Sequence, residues 1–313
     1  MKNTIRLNIA LVVLAAIFIS NKNSCSEPAK TRVSNSAISS TGGNIHSSEF
    51  KKYWFQGQAE LNVYAVQQER YGEMREAQQV MIFVTEDFSA SRQVKLDNPG
   101  QAGADRLPVL KLNAIRRFHT GIYDYALMES VFSPLNGAPS VKNTVSIQDW
   151  CGHVFTQFNY TEQAYRTQLF SYFETEGDSD TLVRNVDFLE SDFWTRLRLN
   201  PEMIKPGRYR LLPSAFFSRL RHKPLRAEPA EVYFESRSGN PERQTLVLKY
   251  PELDRVLKIQ FEPSFPFKII GWEEHHSGKI LSSGMLQKTI KTAYWNLNQS
   301  TETALRDSLF LFF

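Results

Sequence analysis

Asp149, Cys151 and His153 occupy alternate positions in the stretch DWCGHVF. A cysteine nucleophile needs a base within hydrogen-bond reach, and the base needs an orienting carboxylate. On a regular strand the three side chains share one face. Same-face neighbours there lie ~7 Å apart, because each residue rises ~3.3 Å. Contact at hydrogen-bond distance would have to be forced along an extended chain. A bulge at Gly152 would instead put Cys151 and His153 on opposite faces. We therefore read Cys151 as a buried, inert thiol beside a hydrogen-bonded histidine. A thiol-dependent hydrolase or transferase using Cys151, His153 and Asp149 is the alternative.

Two further stretches carry candidate chemistry. GWEEHHSG sets Glu273, Glu274, His275 and His276 side by side, all of them possible zinc ligands. Adjacent strand residues face opposite ways, so only Glu273 with His275, or Glu274 with His276, would converge. No second His- or Cys-rich stretch completes a ligand set, and no metal or cofactor is expected. RLRHKPLR concentrates Arg219, Arg221, Lys223 and Arg226 around His222. Beside a membrane such a run attracts anionic headgroups, at ~1 kcal/mol per cation. These four cations are the candidate ligand-binding residues, against the plainer reading of a solvated loop. The chain has no phosphate loop, HExxH, GxSxG or dinucleotide fingerprint.

The N-terminus bears on where such groups would act. Lys2 and Arg6 precede an apolar run of 11 residues, Ile9 to Ile19. That suits the core of a signal peptide and is short of the ~20 residues of a membrane-spanning helix. Cys25 follows, preceded by the small Ser24, as in a bacterial lipoprotein signal. We expect a lipoprotein-type signal at 1–25, lipidation at Cys25 and a place in the cell envelope, facing the periplasm or the surface. Residues 1–25 hold three of the 37 basic residues and no acid, leaving 34 basic against 33 acidic residues. A nearly neutral body offers no global field for nucleic acid. Residues 26–48 are rich in Ser, Asn, Gly and Thr and read as a flexible tether. With Cys25 acylated, Cys151 has no disulfide partner.

The body, residues 49–313, must position these groups, and its dominant period is two. AELNVYAVQQ, QVMIFVTEDF, RLPVLKLNAI, GIYDYALMESVF and a run of later segments alternate or bury as strands between turn residues. VKNTVSIQDWCGHVFTQFNY is too long for one flat strand, and Gly152 would bend it. One apolar stripe of helical period, Phe188, Leu189, Phe193, Trp194 and Leu197, predicts a helix over 186–200 capped by Asn185 or Asp187. TETALRDSL predicts a short C-terminal helix. Many strands without helical alternation argue for a mainly β, antiparallel architecture. So many strands curl or split. The expectation is one β-rich domain, a large curved sheet or incomplete barrel with the 186–200 helix on its concave side. A two-sheet sandwich is the alternative.

The stretches YWFQGQAELNVYAVQQERYGE, VMIFVTEDF, QVKLDN, VLKLN, TGIYDYALMESVFSP and DWCGHVFTQ resemble a family of uncharacterised bacterial envelope proteins. Its members often carry the label "septum formation inhibitor Maf". Genuine Maf proteins are cytoplasmic α/β nucleotide pyrophosphatases with a Ser-Pro-Arg-Arg motif near the N-terminus, which this chain lacks. The resemblance thus implies an envelope protein and carries over no catalytic residue. Together these readings predict an envelope lipoprotein, held to the membrane by its anchor, that binds an apolar ligand or a partner protein. A purely structural component of an assembly is a third possibility.

Overall fold

A short helix, α1 (Ser48–Trp54), opens the body of the protein, known from a computed structural model that describes residues 47–235 and 242–312. Ser47 caps it, its Oγ accepting from the Phe50 amide at 3.0 Å. The expected tether therefore ends in helix. Its remainder, the signal segment and Cys25 lie outside the described residues.

Nine strands follow: β1 (Ala59–Arg70), β2 (Glu73–Ser89), β3 (Val94–Lys95), β4 (Arg106–Thr120), β5 (Tyr123–Pro134), β6 (Lys142–Gln148), β7 (His153–Thr161), β8 (Ala164–Ser171) and β9 (Ser179–Arg184). Next come β10 (Phe188–Leu189), helix α2 (Asp192–Leu199), β11 (Gly207–Leu212) and helix α3 (Ala215–Leu220). The chain then forms β12 (Glu228–Phe234), β13 (Gln244–Tyr250), β14 (Arg255–Phe261), β15 (Ile269–His276), β16 (Lys279–Thr292) and a last short helix, α4 (Leu305–Ser308).

Among the described residues all 16 strands belong to one sheet, in the order β10-β11-β12-β13-β14-β15-β16-β1-β2-β4-β5-β6-β7-β8-β9, with β3 added beside β2. Almost every neighbour is antiparallel and adjacent in sequence, as period-two strands joined by tight turns require. Besides β2 with β4, which pair across the intervening β3, two pairings depart from this. β10 lies parallel to β11, and β16 closes onto β1, from Ala59 opposite Thr292 to Gln68 opposite Ser282. Among the described residues no ladder joins β9 to β10, so the curl stays open. The protein is mainly β, a large curved antiparallel sheet wrapped around packed helices.

α2 sits inside the curl. Arg198 bonds Glu60 on β1, Thr195 bonds Ser133 on β5 at 2.6 Å, and Trp194 meets Trp272 on β15 edge-on at 5.7 Å. One helix that touches three strands so far apart in the sheet fixes the direction of curvature. Its predicted extent is corrected. The helix spans Asp192–Leu199, whereas Phe188 and Leu189 are strand, paired with Leu211 and Leu212. Asn185 turns the chain with φ 57°, and Asp187 accepts from the Arg210 amide instead of capping a helix. The apolar stripe is thus shared by two elements. α3 was missed within an apolar run read as strand. Ser214 Oγ accepts from the Phe216 amide at 3.2 Å and starts it. On the outer face, Ala59, Ile82 and Val84 form a small second cluster. The C-terminal segment bonds there, the Phe312 amide donating to Gln78 Oε1 at 3.1 Å.

Candidate functional site

DWCGHVF is a hairpin turn. β6 ends at Gln148 and β7 begins at His153, and these two residues pair. Asp149 Oδ1 accepts from the amides of Cys151, at 2.6 Å, and Gly152, at 3.2 Å. Its carboxylate is spent on the turn, as is common for aspartate at such positions. His153 Nε2 lies 2.8 Å from Ser146 Oγ across the hairpin. Cys151 is exposed, not buried. The expected inert packing role fails because the polar Asx turn lifts the thiol out of the sheet. Neither His153 nor Asp149 offers its side chain to the sulfur.

The acids and histidines of β15 also part company. His275 bonds Glu273 at 3.3 Å, while Glu274 Oε1 accepts from Arg255 Nε at 2.7 Å and Oε2 from Ser282 at 3.1 Å. His276 lies against Phe217, ring to ring at 5.6 Å. Burial pushes the Glu274 carboxyl up, but Arg255 outweighs it and holds the group below its ordinary value.

Side chains fill most of the space between α2 and the sheet. What remains near Trp194 is a cavity of about 40 Å³, lined by Arg116, Glu129, Glu190, Arg255 and Glu274 among others. Charges inside the curl occupy one another. Arg255 Nη2 donates to Glu190 Oε1 at 2.8 Å, and Tyr250 donates to Glu190 Oε2 at 2.7 Å. Glu129 accepts from Asn143 at 2.7 Å. The space is too small and too polar for an acyl chain.

A different cavity, of about 320 Å³, lies between β7, β8, β9 and α3. Val154 and Leu169 from the strands, with Ala215, Pro224 and Leu225, make its apolar walls. Thr156, Thr167, Thr181 and Ser218 add hydroxyls. Strand alternation explains the threonines: in β7 the buried positions are Val154, Thr156 and Phe158, and Thr167 of β8 is likewise buried. Arg219, in the last turn of α3, points here, as does His222, which adopts φ 50° just beyond it.

Arg219 is the unusual group. Its side chain is only 7% exposed, and neither Nε nor Nη1 has a hydrogen-bond partner. Its guanidinium stacks on the Phe173 ring at 4.0 Å. The nearest carboxylate oxygen, Glu176 Oε1, is 4.0 Å away, beyond hydrogen-bond range. Glu176 is engaged elsewhere, with His222 Nδ1 at 2.9 Å and Ser171 Oγ at 2.7 Å. Thr167 Oγ1, in the same wall, is also buried without a partner. A buried unpaired polar atom costs ~1–3 kcal/mol, and three on two residues of one cavity wall call for an explanation.

Of the four predicted cations, the structure brings Arg219 and Lys223 to this cavity. Arg221 pairs with Glu69 and Arg226 with Glu228. Sequence reasoning missed Thr167, Glu176 and Phe173. The signal was there in part, since a threonine in the inward phase of a strand is a polar group sent into the interior.

No protein-family model and no curated protein matches the chain. Among solved structures it is similar to a β-barrel-like protein of the domain of unknown function DUF1849 from Brucella abortus. The TM-score is 0.46 at 7% identity, covering 74% of this chain and 97% of that one.

Proposed function

We propose that the protein is an envelope lipoprotein that binds an amphiphilic anion, an acyl chain ending in a carboxylate or phosphate, in the Arg219 cavity. The observation that carries this is Arg219, a buried arginine in the wall of a cavity of about 320 Å³, two of whose guanidinium nitrogens have no hydrogen-bond partner. Ligand cavities begin at ~300 Å³. An oxyanion would accept from Arg219 through short, charge-assisted bonds, which are about twice as strong as neutral ones. His222, Lys223 and the hydroxyls of Thr167 and Ser218 stand around the same space, and the aliphatic walls suit the chain. The envelope half of the reading rests on the apolar run before Cys25 and on the resemblance to envelope proteins. No reaction is assigned to Cys151, His153 and Asp149: the His153 ring and the Asp149 carboxylate are committed to their own hairpin and do not reach the exposed thiol.

Native mass spectrometry and lipid extraction of protein purified from membranes, with titration of a fluorescent fatty acid, test the proposal. Saturable micromolar binding is expected. Arg219→Met should weaken it ~10–100-fold, the loss of one or two charge-assisted bonds. No co-purifying lipid together with no saturable binding would overturn the reading and leave a partner protein as the ligand.

A further inference from the structure

We infer that the outer face of the sheet carries a second site, separate from the Arg219 cavity, for a zwitterionic phospholipid: the acyl chain lies under the C-terminal segment, the phosphate on Arg117 and the ammonium group in the recess beside Trp150. Two adjoining cavities make the site. One, of about 320 Å³, lies between the C-terminal segment and strands β1, β2 and β4. The other, of about 470 Å³, lies over β4, β5 and the β6–β7 turn. Arg117 stands in the wall of both.

Strand register sets the order of the groups. Val63, Val80 and Ile115 pair in one row across β1, β2 and β4. Two residues further along, on the same face, the next row reads Ala65, Gln78, Arg117, Ala126 and Gln148. The first row, with Leu61 and Ile82, gives the first cavity an aliphatic floor, and Leu309 and Leu311 line it from the C-terminal segment. Gln78 clips that segment down. Its Oε1 accepts from the Phe312 amide at 3.1 Å, and its Nε2 donates to the Phe310 carbonyl. In the second row Ala126 stands between Arg117 and Gln148, and its small side chain leaves room for the recess. Asp124, Asp149 and Trp150 line its tip side.

Each part calls for a different piece of one ligand. The first cavity is in the size range of ligand pockets, ~300–1,000 Å³, and its aliphatic walls suit a chain. Arg117 is exposed, and among the described residues no acid pairs with it. A guanidinium matches phosphate with its fork of donors. Beyond Arg117 the sign changes. Asp149 Oδ1 is held by its turn amides and Asp124 Oδ1 by His119, yet both residues line the recess beside Trp150, whose side chain is 68% exposed. Carboxylates and an open indole face attract an ammonium group, through charge and the ring quadrupole. A fatty acid or a phosphatidylglycerol brings no cation to that recess. A cationic amphiphile without phosphate leaves Arg117 unanswered. From Arg117 to the Ala126 floor is one strand spacing, ~5 Å, comparable to the two-carbon link between phosphate and amine in an ethanolamine headgroup.

The test is calorimetric titration of the full chain carrying Cys25→Ser and Arg219→Met, the second change removing the anion-binding group of the interior cavity. The probe is decanoyl lysophosphatidylethanolamine below its micelle concentration. Saturable binding is expected, ~10-fold tighter than that of the matching lysophosphatidylglycerol, which has the phosphate but no amine. Arg117→Gln should weaken both lipids ~10-fold or more. Asp124→Asn with Trp150→Ala, both at exposed positions, should erase the preference and leave lysophosphatidylglycerol unchanged. No saturable binding, equal affinity for the two headgroups, or a preference that survives the double change overturns the proposal. So does competition by chainless glycerophosphoethanolamine as strong as that of the lipid, since the C-terminal cavity would then hold no chain. None of these results touches the interior cavity, which is tested with fatty acid and Arg219 intact.

Discussion

Arg219 and Asp192 are both buried charges, and they illustrate opposite solutions. Arg219 keeps two nitrogens unpaired beside a cavity. A purely structural arginine would destabilise the fold when removed. Here Arg219→Met, similar in length and apolar, should leave the urea midpoint unchanged or raise it, because an unsatisfied polar group is exchanged for a methylene surface. A marked drop in stability would mean that the guanidinium holds the fold. Asp192 is fully engaged, accepting from the Leu189 amide at 3.0 Å and from the Ser140 amide at 3.2 Å. Burial nevertheless raises its carboxyl from 3.8 to about 6. Between these values the folded protein holds a proton that the unfolded chain has released. This site's contribution to stability therefore falls as pH rises across that window, by on the order of 2–3 kcal/mol. Asp192→Asn should flatten that part of the pH profile in urea unfolding at pH 4 and pH 7, while costing stability at both because an amide nitrogen faces the Leu189 N–H. Cys151 supplies the simplest check. Its exposure predicts that a thiol reagent modifies the native and the urea-unfolded protein at comparable rates. Protection in the native state would return it to the sheet interior.

At the scale of elements, α2 is held by charge as much as by apolar packing. Arg198 Nη2 donates to Glu60 Oε2 at 2.8 Å, its other Nη bonds Oε1, and Nε donates to the Pro266 carbonyl at 3.0 Å. Burial pushes the Glu60 carboxyl up, but Arg198, Tyr53 and Asn62 outweigh it and hold it at about 2. The pair thus stays charged at every physiological pH, and its stabilisation is lost only as pH falls from about 4.5 toward 2. Arg198→Met alone strands Glu60 in the interior and should cost ~3–5 kcal/mol. Adding Glu60→Gln should recover part of that, since the stranded charge is gone. Chemical denaturation of the single and double variants gives the comparison. Equal losses in both would mean that packing around α2, not the ion pair, carries the effect.

For the molecule as a whole, long-range organisation rests on few joins. Antiparallel pairing of strands near one another in sequence builds β1 to β9 and β11 to β16, and among the described residues only the β16–β1 ladder joins opposite ends of the body's sequence. Such a body can be carried on a single N-terminal anchor, which is the expectation for Cys25. Palmitate fed to expressing cells should label the wild type and not Cys25→Ser. Undiminished labelling of that variant would place any acyl group elsewhere.

What the chain determined by itself was local. Alternation in KNTVSIQ and RVLKIQF, and glycine or Asx at the turns, made strands and hairpins legible because each depends only on neighbours two to four residues away. The mainly β class and the curl followed from their number. Helix boundaries at 186–200 were not legible, since one apolar stripe served both β10 and α2, and pairing with the distant β11 chose strand for Phe188. Pro213 and Ser214 were a stop and a cap, but the apolar run across them hid α3. The candidate site needed tertiary structure altogether. Thr167 and Arg219 are 52 positions apart, and only the sheet's curvature over α3 puts them around one cavity. Their lack of partners is a property of what else reaches that space, and no local pattern encodes it.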